Sequence, residues 1–189
     1  MKCLRAEVLG VFASEPKPFE PNPKIQSAFY KSPVSGAVRV EPGKLHGDAS
    51  GNQIHHGGQD RVIHHYPQEH YQEWKQRYPE HEDEFIPGSI GENISTKGIL
   101  ESDVCVGDIF QLGSAKIQLT EGRKPCGFID QRFAVPKMHK QVQKLIKMGW
   151  FYRVLESGEF QVGSDLELMD RPTQWARLDI VSDVLMNKK

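Results

Sequence analysis

Hydrophobic and polar positions alternate through much of this chain with a period of two, the spacing that puts side chains on opposite faces of a strand. Residues 3–12 are aliphatic and β-branched enough for a first strand. Next comes SEPKPFEPNPK, whose prolines at 16, 18, 21 and 23 argue against regular pairing and predict a surface loop or mobile insertion. VSGAVRV at 34–40 resumes a strand pattern, and GDASGNQIHHGGQD is a long polar loop leading into VIHHYP. After Pro67 the spacing changes. Tyr71, Trp74 and Tyr78 recur at helical intervals, Pro67 suits a first helical turn, and Glu73 can pair with Arg77. This helix is expected to end at 78–79.

The second half predicts strands and tight turns. IGENIS is short and apolar at alternate positions. DIFQLGSAKIQL reads as a hairpin around Gly113 and Ser114, with Ile109, Ile117 and Leu119 among the inward residues. A second amphipathic helix is expected over 136–148, with Met138, Val142, Leu145 and Ile146 on one face. WFYRVLESGEFQVGSDLELMD predicts a hairpin at Ser157 and Gly158 and then another strand, while WARLDIVSDVL fits either strand or helix. Seven or more short strands with two inserted helices predict a mainly β fold. The expected form is a closed or nearly closed barrel decorated by helices, in one domain spanning 1–189.

Composition narrows the function classes. The 189 residues are 38% hydrophobic and 26% charged, as in ordinary soluble proteins. A formal net charge of −1, with cations spread along the chain, supplies no field for a nucleic-acid polymer or an anionic membrane. No apolar run is long enough for a membrane-spanning helix. Arg5 and Glu7 interrupt what would be a signal peptide's apolar stretch, so a cytoplasmic protein is expected. Cys3, Cys105 and Cys126 are odd in number and widely spaced, which argues against a disulfide framework and fits a reducing compartment. Cys105, between two valines, reads as an inert buried residue, and Cys3 likewise.

Cys126 reads differently. In EGRKPCGF it stands at a turn behind Arg123 and Lys124, whose charges favour the thiolate, the form that is both nucleophile and metal ligand. Pro125 restricts the backbone and helps aim the sulfur. Three roles follow: a nucleophile with a histidine base, a redox sensor, or a single thiolate ligand to a metal already held by a cofactor. HHGGQDRVIHHYPQEH holds five of the eight histidines and invites a zinc site. His65 and His70 are one residue too far apart for the inverse zincin pattern, and Pro67 separates His65 from the helix. HGGQDR supports an anion site instead: Gly57 and Gly58 permit close backbone approach, and Arg61 adds a charged fork. Taken alone it is also an ordinary glycine turn. Glu92 and Asn93 in GENIS could satisfy the ring donors of a ligand or merely bond a turn. No Walker or Rossmann glycine pattern is present.

Several segments occur together and in order: KSPVSG (31–36), LHGD (45–48), HGGQDRVIHHYPQEHY (56–71), PGSIGENIST (87–96), DVCVGDIFQLGSAKIQL (103–119), RKPC (123–126) and GWFYRVLESG (149–158). In this combination the chain resembles the MOSC-domain family, named after the C-terminal part of molybdenum-cofactor sulfurases, and within it a YiiM-like branch. The likeness covers most of residues 31–172. It implies a β-barrel whose cleft binds a molybdopterin-type molybdenum cofactor, with Cys126 ligating the metal through sulfur. Lys31, Arg61 and Arg123 are the implied phosphate ligands. His56, Asp60, His65, Glu92 and Asn93 are implied to line the cleft, together with Ser32, Gly57, Gly58, Tyr66 and Lys124.

The implied activity is reduction of N-hydroxylated small molecules, including hydroxylaminopurine-type bases, to amines. His65 or Asp130 would deliver a proton, and a separate reductase would supply electrons. Other readings of the same cysteine are a cofactor or sulfur carrier and a hydrolase with a histidine base or bound zinc. Gly122 stands where relatives often carry proline, and GFID after the cysteine departs from the usual aromatic- and lysine-containing run. The chain stops at Lys189, without the helical extension expected in longer relatives.

Overall fold

The computed structural model describes residues 4–49 and 57–187. Its centre is a barrel. Strand β1 (Arg5–Ala13) is followed by a short hairpin of β2 (Lys17–Phe19) and β3 (Asn22–Ser27). Then come β4 (Ser32–Pro33), β5 (Val38–Glu41), β6 (Lys44–Leu45), β7 (Ile63–Pro67) and β8 (Ile94–Thr96). The later strands are β9 (Ile109–Leu112), β10 (Ala115–Gly122), β11 (Trp150–Glu156), β12 (Gly158–Phe160) and β13 (Asp165–Asp170). The strands run in the order β13-β9-β10-β11-β7-β8-β1, and β13 also pairs with β1, which closes the ring. β7 and β8 are parallel and the other barrel neighbours antiparallel. Among the described residues, closure leaves the seven-stranded ring itself without an edge strand.

The interior is filled by side chains from alternate positions. Val8, Ile63, Ile94, Phe110, Ile117, Leu119 and Trp150 are buried in one cluster. A second cluster lies between the barrel's outer face and the helices, α1 (Glu69–Arg77), α2 (Phe128–Phe133) and α3 (Met138–Lys144), with Tyr66, Trp74, Phe133 and Met138 at its heart. The last helix, α4 (Leu178–Met186), buries Leu178 and Ser182. Residues 178–185 of the ambiguous WARLDIVSDVL segment are therefore helical.

Several expectations change. The prolines at 18 and 23 sit inside β2 and β3, which pair only with each other among the described residues, so missing N–H donors disrupt no longer ladder. Pro67 closes β7 opposite Thr96 instead of opening the helix, which starts at Glu69 and ends before Tyr78. The 109–119 hairpin forms around Gly113, but Phe110 and Leu112 point inward with Ile117 and Leu119, and Ile109 is only half-buried. The helix expected over 136–148 is shorter: Lys137 precedes it at φ 63°, and Ile146 at φ 52° turns the chain toward β11. α2, inside GFIDQRF, carries no long periodic signal and is not among the elements the sequence predicts. Past Ser157 the chain leaves β11, and β12 pairs with β5, not back on β11. Its start is pinned by close contact, since a Cβ on Gly158 would stand 2.4 Å from the Ala115 nitrogen.

Candidate functional site

A cavity of about 570 Å³ opens at one side of the barrel, within the size range of small-molecule sites. Lys31, Asp48, Arg61, His64, Arg123 and Cys126 are among its lining residues. They arrive from four separate stretches of the chain, around residues 31, 48, 61–64 and 123–126, so the site exists only after the barrel closes.

Cys126 sits where β10 gives way to α2. Pro125 is buried, Lys124 is exposed, and the cysteine is half-buried. The Arg123 N–H donates to the Gly149 carbonyl (3.1 Å), and the Cys126 carbonyl accepts from the Ile129 N–H (3.1 Å), so both ends of the turn are tied down. The Arg123 guanidinium donates to the Ile90 carbonyl (2.6 Å) and lies 5.3 Å from the centre of the Phe29 ring. Burial pulls its pKa down from the usual arginine value, and the neighbouring Cys126 and Glu92 oppose that effect. Gly122 has a packing reason: a Cβ there would come within 2.6 Å of the Ser182 hydroxyl on α4 and 3.4 Å of the Met148 sulfur.

Lys31 and Asp48 form a buried ion pair in the cavity wall, with side chains 7% and 12% exposed. Asp48 also accepts from the Ser14 N–H (2.8 Å) and from the Asn93 side-chain amide (2.9 Å). Burial lowers the Lys31 pKa, and Asp48 is the main opposing influence. Asn93 knits the wall further: its side-chain oxygen accepts from the His64 N–H (2.9 Å), and its amide also reaches the Phe12 carbonyl (3.2 Å). Arg61 donates to Glu121 (2.5 Å) and stacks 5.9 Å from the Phe151 ring, and the Glu121 bond raises its pKa. Gly57 and Gly58 line the same side, Gly58 at φ 108°.

The histidine in the wall is His64. In β7 successive side chains face opposite ways. Ile63 and His65 point into the barrel, while His64, opposite Phe151, reaches the cavity. Its Nε2 donates to the Met148 carbonyl (3.3 Å), and its Nδ1 has no hydrogen-bond partner among the described residues. Burial first, and the Arg123 charge second, hold its pKa well below the usual histidine range. With Nε2 protonated in this way, the neutral ring keeps Nδ1 as an acceptor.

His65 does not line the cavity. It is buried in the barrel, with Nε2 2.7 Å from the Thr96 hydroxyl and Nδ1 3.1 Å from the Tyr152 hydroxyl, and burial pulls its pKa down to about 3. Asp130 also lies elsewhere: its carboxylate accepts from the Lys137 N–H (2.9 Å), the His139 N–H (2.8 Å) and the His139 ring (2.8 Å), bridging α2 and α3. Tyr66 is buried behind the wall, donating to the Lys147 carbonyl (3.2 Å) and accepting from Trp74 (2.7 Å). Glu92 is fully buried, bonded to the Tyr71 hydroxyl and the Gly88 N–H (both 2.6 Å), with its second oxygen unpartnered among the described residues; burial raises its pKa. Asp60 is exposed and 3.4 Å from Arg153, and Ser32 is exposed on β4. His56 and Cys3 lie outside the described residues. Cys105 is buried.

The structure therefore brings Lys31, Gly57, Gly58, Arg61, Asn93, Arg123 and Cys126 to one cavity. Asp48 and His64 were not singled out, although both stand within quoted motifs, and strand alternation through IHHYP would have paired His65 with Ile63 on the barrel side. No group of three or more His, Cys, Asp and Glu side chains suited to holding a metal occurs among the described residues. A half-buried thiol in a wall bearing Lys31, Lys44, Arg61 and Arg123, and a buried imidazole with an unpartnered nitrogen, fit an anionic cofactor whose metal takes one sulfur ligand.

The sequence pattern of the MOSC domain matches residues 52–167. The chain belongs to the MOSC domain family. Protein YiiM of Escherichia coli (strain K12) is 38% identical over 145 residues, which are 77% of this MOSC chain and 65% of the relative, so the match spans just under two thirds of that protein. A protein named reductase from Gibberella moniliformis (strain M3125 / FGSC 7600) is 33% identical over 159 residues, 83% of this chain and 28% of its own length. The crystal structure of YiiM from Escherichia coli aligns with a TM-score of 0.80 at 30% identity, over 97% of this chain and 78% of that one. Within this MOSC barrel the Lys31–Asp48 pair joins the KSPVSG and LHGD segments, which the sequence shows only as separate motifs. No helix among the described residues is long and apolar enough to cross a membrane.

Proposed function

We propose that this MOSC protein is a molybdenum-cofactor-dependent oxidoreductase that reduces N-hydroxylated small molecules to amines, with the Cys126 thiolate as the protein's ligand to molybdenum. The observation that carries the reading is the placement of Cys126 in one cavity wall with Lys31, Arg61 and Arg123. Membership of the MOSC family and the name reductase borne by one relative support the oxidoreductase class.

When bound, the cofactor supplies the two-electron chemistry of R–NH–OH + 2 H⁺ + 2 e⁻ → R–NH₂ + H₂O. The chain's own residues do the rest. Arg61, Lys31, Arg123 and the backbone around Gly57 and Gly58 hold the anionic part of the cofactor. The Arg123 and Cys126 turn, fixed at both ends, sets where the sulfur points. His64 offers an acceptor for a ring N–H. With His65 and Asp130 held elsewhere, Lys31 is a proton-holding side chain available in the wall. Electrons come from a separate reductase.

The test is elemental analysis of protein made in a cofactor-producing host, beside Cys126→Ala. Stoichiometric molybdenum in the wild type and its loss in the variant are expected, with benzamidoxime reduced when a chemical reductant is supplied. Molybdenum content unchanged in Cys126→Ala would sink the ligand assignment. A loaded protein inert toward benzamidoxime and hydroxylaminopurine would instead mark a cofactor carrier.

A further inference from the structure

The proline-rich hairpin is left unexplained by cofactor binding. β2 and β3 pair with no barrel strand among the described residues, and a lone two-stranded hairpin is marginal in water. Its anchor is Phe19, whose ring is fully buried. That ring packs edge-on against Phe128 at 4.6 Å and Phe29 at 6.5 Å, and tilts on Tyr30 at 5.5 Å. Phe29 and Phe128 are stacked at 23° and 6.4 Å, and both line the cavity, Phe128 two residues beyond Cys126. The returning strand adds Ile25, Gln26 and Ser27 to the same cavity, and Ile25 leaves 38% of its surface in solvent. An exposed aliphatic side chain beside two flat rings is a surface suited to a ring-bearing ligand. The cationic residues serve the opposite chemistry.

We propose that the hairpin 17–27, keyed by Phe19 into the aromatic group beside Cys126, is the specificity-determining wall of the site and selects flat ring-bearing substrates over small acyclic ones. The inference rests on the reading of the cavity as a substrate site, but not on the identity of its metal.

The test compares binding of benzamide and acetamide, neutral unreactive probes with and without a ring, by calorimetry on the whole purified protein. Wild type, Phe19→Ala, Phe19→Leu and Ile25→Ser are measured, with molybdenum determined in each sample. Wild type is expected to prefer benzamide about tenfold beyond the partition difference of the two probes into a hydrogen-bonding solvent. Phe19→Ala and Ile25→Ser are expected to reduce that preference to within about twofold, and Phe19→Leu, which keeps an apolar plug, to retain most of it. Should Phe19→Ala not fold, Ile25→Ser decides, since it changes a partly exposed side chain. An unchanged preference in Ile25→Ser overturns the proposal. Hairpin-dependent ring preference in protein devoid of molybdenum upholds the wall and removes the reductase reading; molybdenum with an unchanged preference does the reverse.

Discussion

Lowering the pH from 7 to 5 is expected to destabilise this protein through two histidines that are buried neutral. His65 is bonded to Thr96 and Tyr152 inside the barrel, with a pKa near 3, and His64 in the cavity wall is also held well below the usual range. In the unfolded chain each titrates at about 6.5. Between that value and the folded pKa the unfolded state binds a proton that the folded state cannot, so stability falls as pH falls. At roughly 1.4 kcal/mol per pH unit below 6.5, the His65 imidazole removes about 2 kcal/mol by pH 5, and His64 adds a loss in the same direction. For His65 the loss continues toward pH 3 and then stops. Glu92 acts with the opposite sign: its raised pKa means the fold is favoured as its carboxylate takes up a proton, which offsets part of the loss. The comparison that isolates His65 is therefore wild type against His65→Gln, by urea unfolding at half-unit pH steps from 7.5 to 5. His65→Gln is expected to be less stable at pH 7, with a pH dependence shallower by about 2 kcal/mol between pH 7 and 5. A variant whose pH dependence matches wild type would refute a neutral His65 in the barrel.

Asp48→Asn is expected to cost about 3–5 kcal/mol, since it strands the Lys31 ammonium in a wall that also uses Asp48 to hold Ser14 and Asn93; urea midpoints measure it, and Lys31→Met with Asp48→Asn together is expected to recover part of the loss. Gly122→Ala is expected to cost about 1–3 kcal/mol by pushing into the Ser182 hydroxyl, and Ser182→Ala is expected to rescue it, read as a return of the melting temperature. Glu101→Ala, which removes the partner of His70 (2.8 Å) and of the Gly149 N–H (2.9 Å), is expected to cost about 2–3 kcal/mol by the same assay.

Much of this organisation was legible because it depends on near neighbours in the chain. The 109–119 hairpin follows from alternation on both sides of Gly113, and the 69–77 helix from Tyr71 and Trp74 at helical spacing with Glu73 and Arg77 pairing at 3.1 Å. The ordered motifs also sufficed for a resemblance to the MOSC family, which the match over residues 52–167 bears out. Phase within a short strand was less secure. IHHYP is buried at every position, since one face meets the barrel interior and the other the cavity and helices, so burial alone does not say which histidine turns outward. Short apolar stretches misled for a similar reason: Ile146 belongs to a left-handed turn whose shape is set by the path to Gly149.

By itself the sequence pointed to a closed or nearly closed β-barrel, a resemblance to the MOSC family, and a cysteine set behind cations at a turn. Only the tertiary structure decided which side chains meet that cysteine. Lys31 and Asp48 are brought together across the chain, His64 faces the cavity where His65 does not, and a hairpin rich in prolines lies against Phe128 through Phe19. Local sequence sets turns and periodicity, but cavity walls come from segments far apart in the chain, and barrel closure fixes which face of each one looks inward.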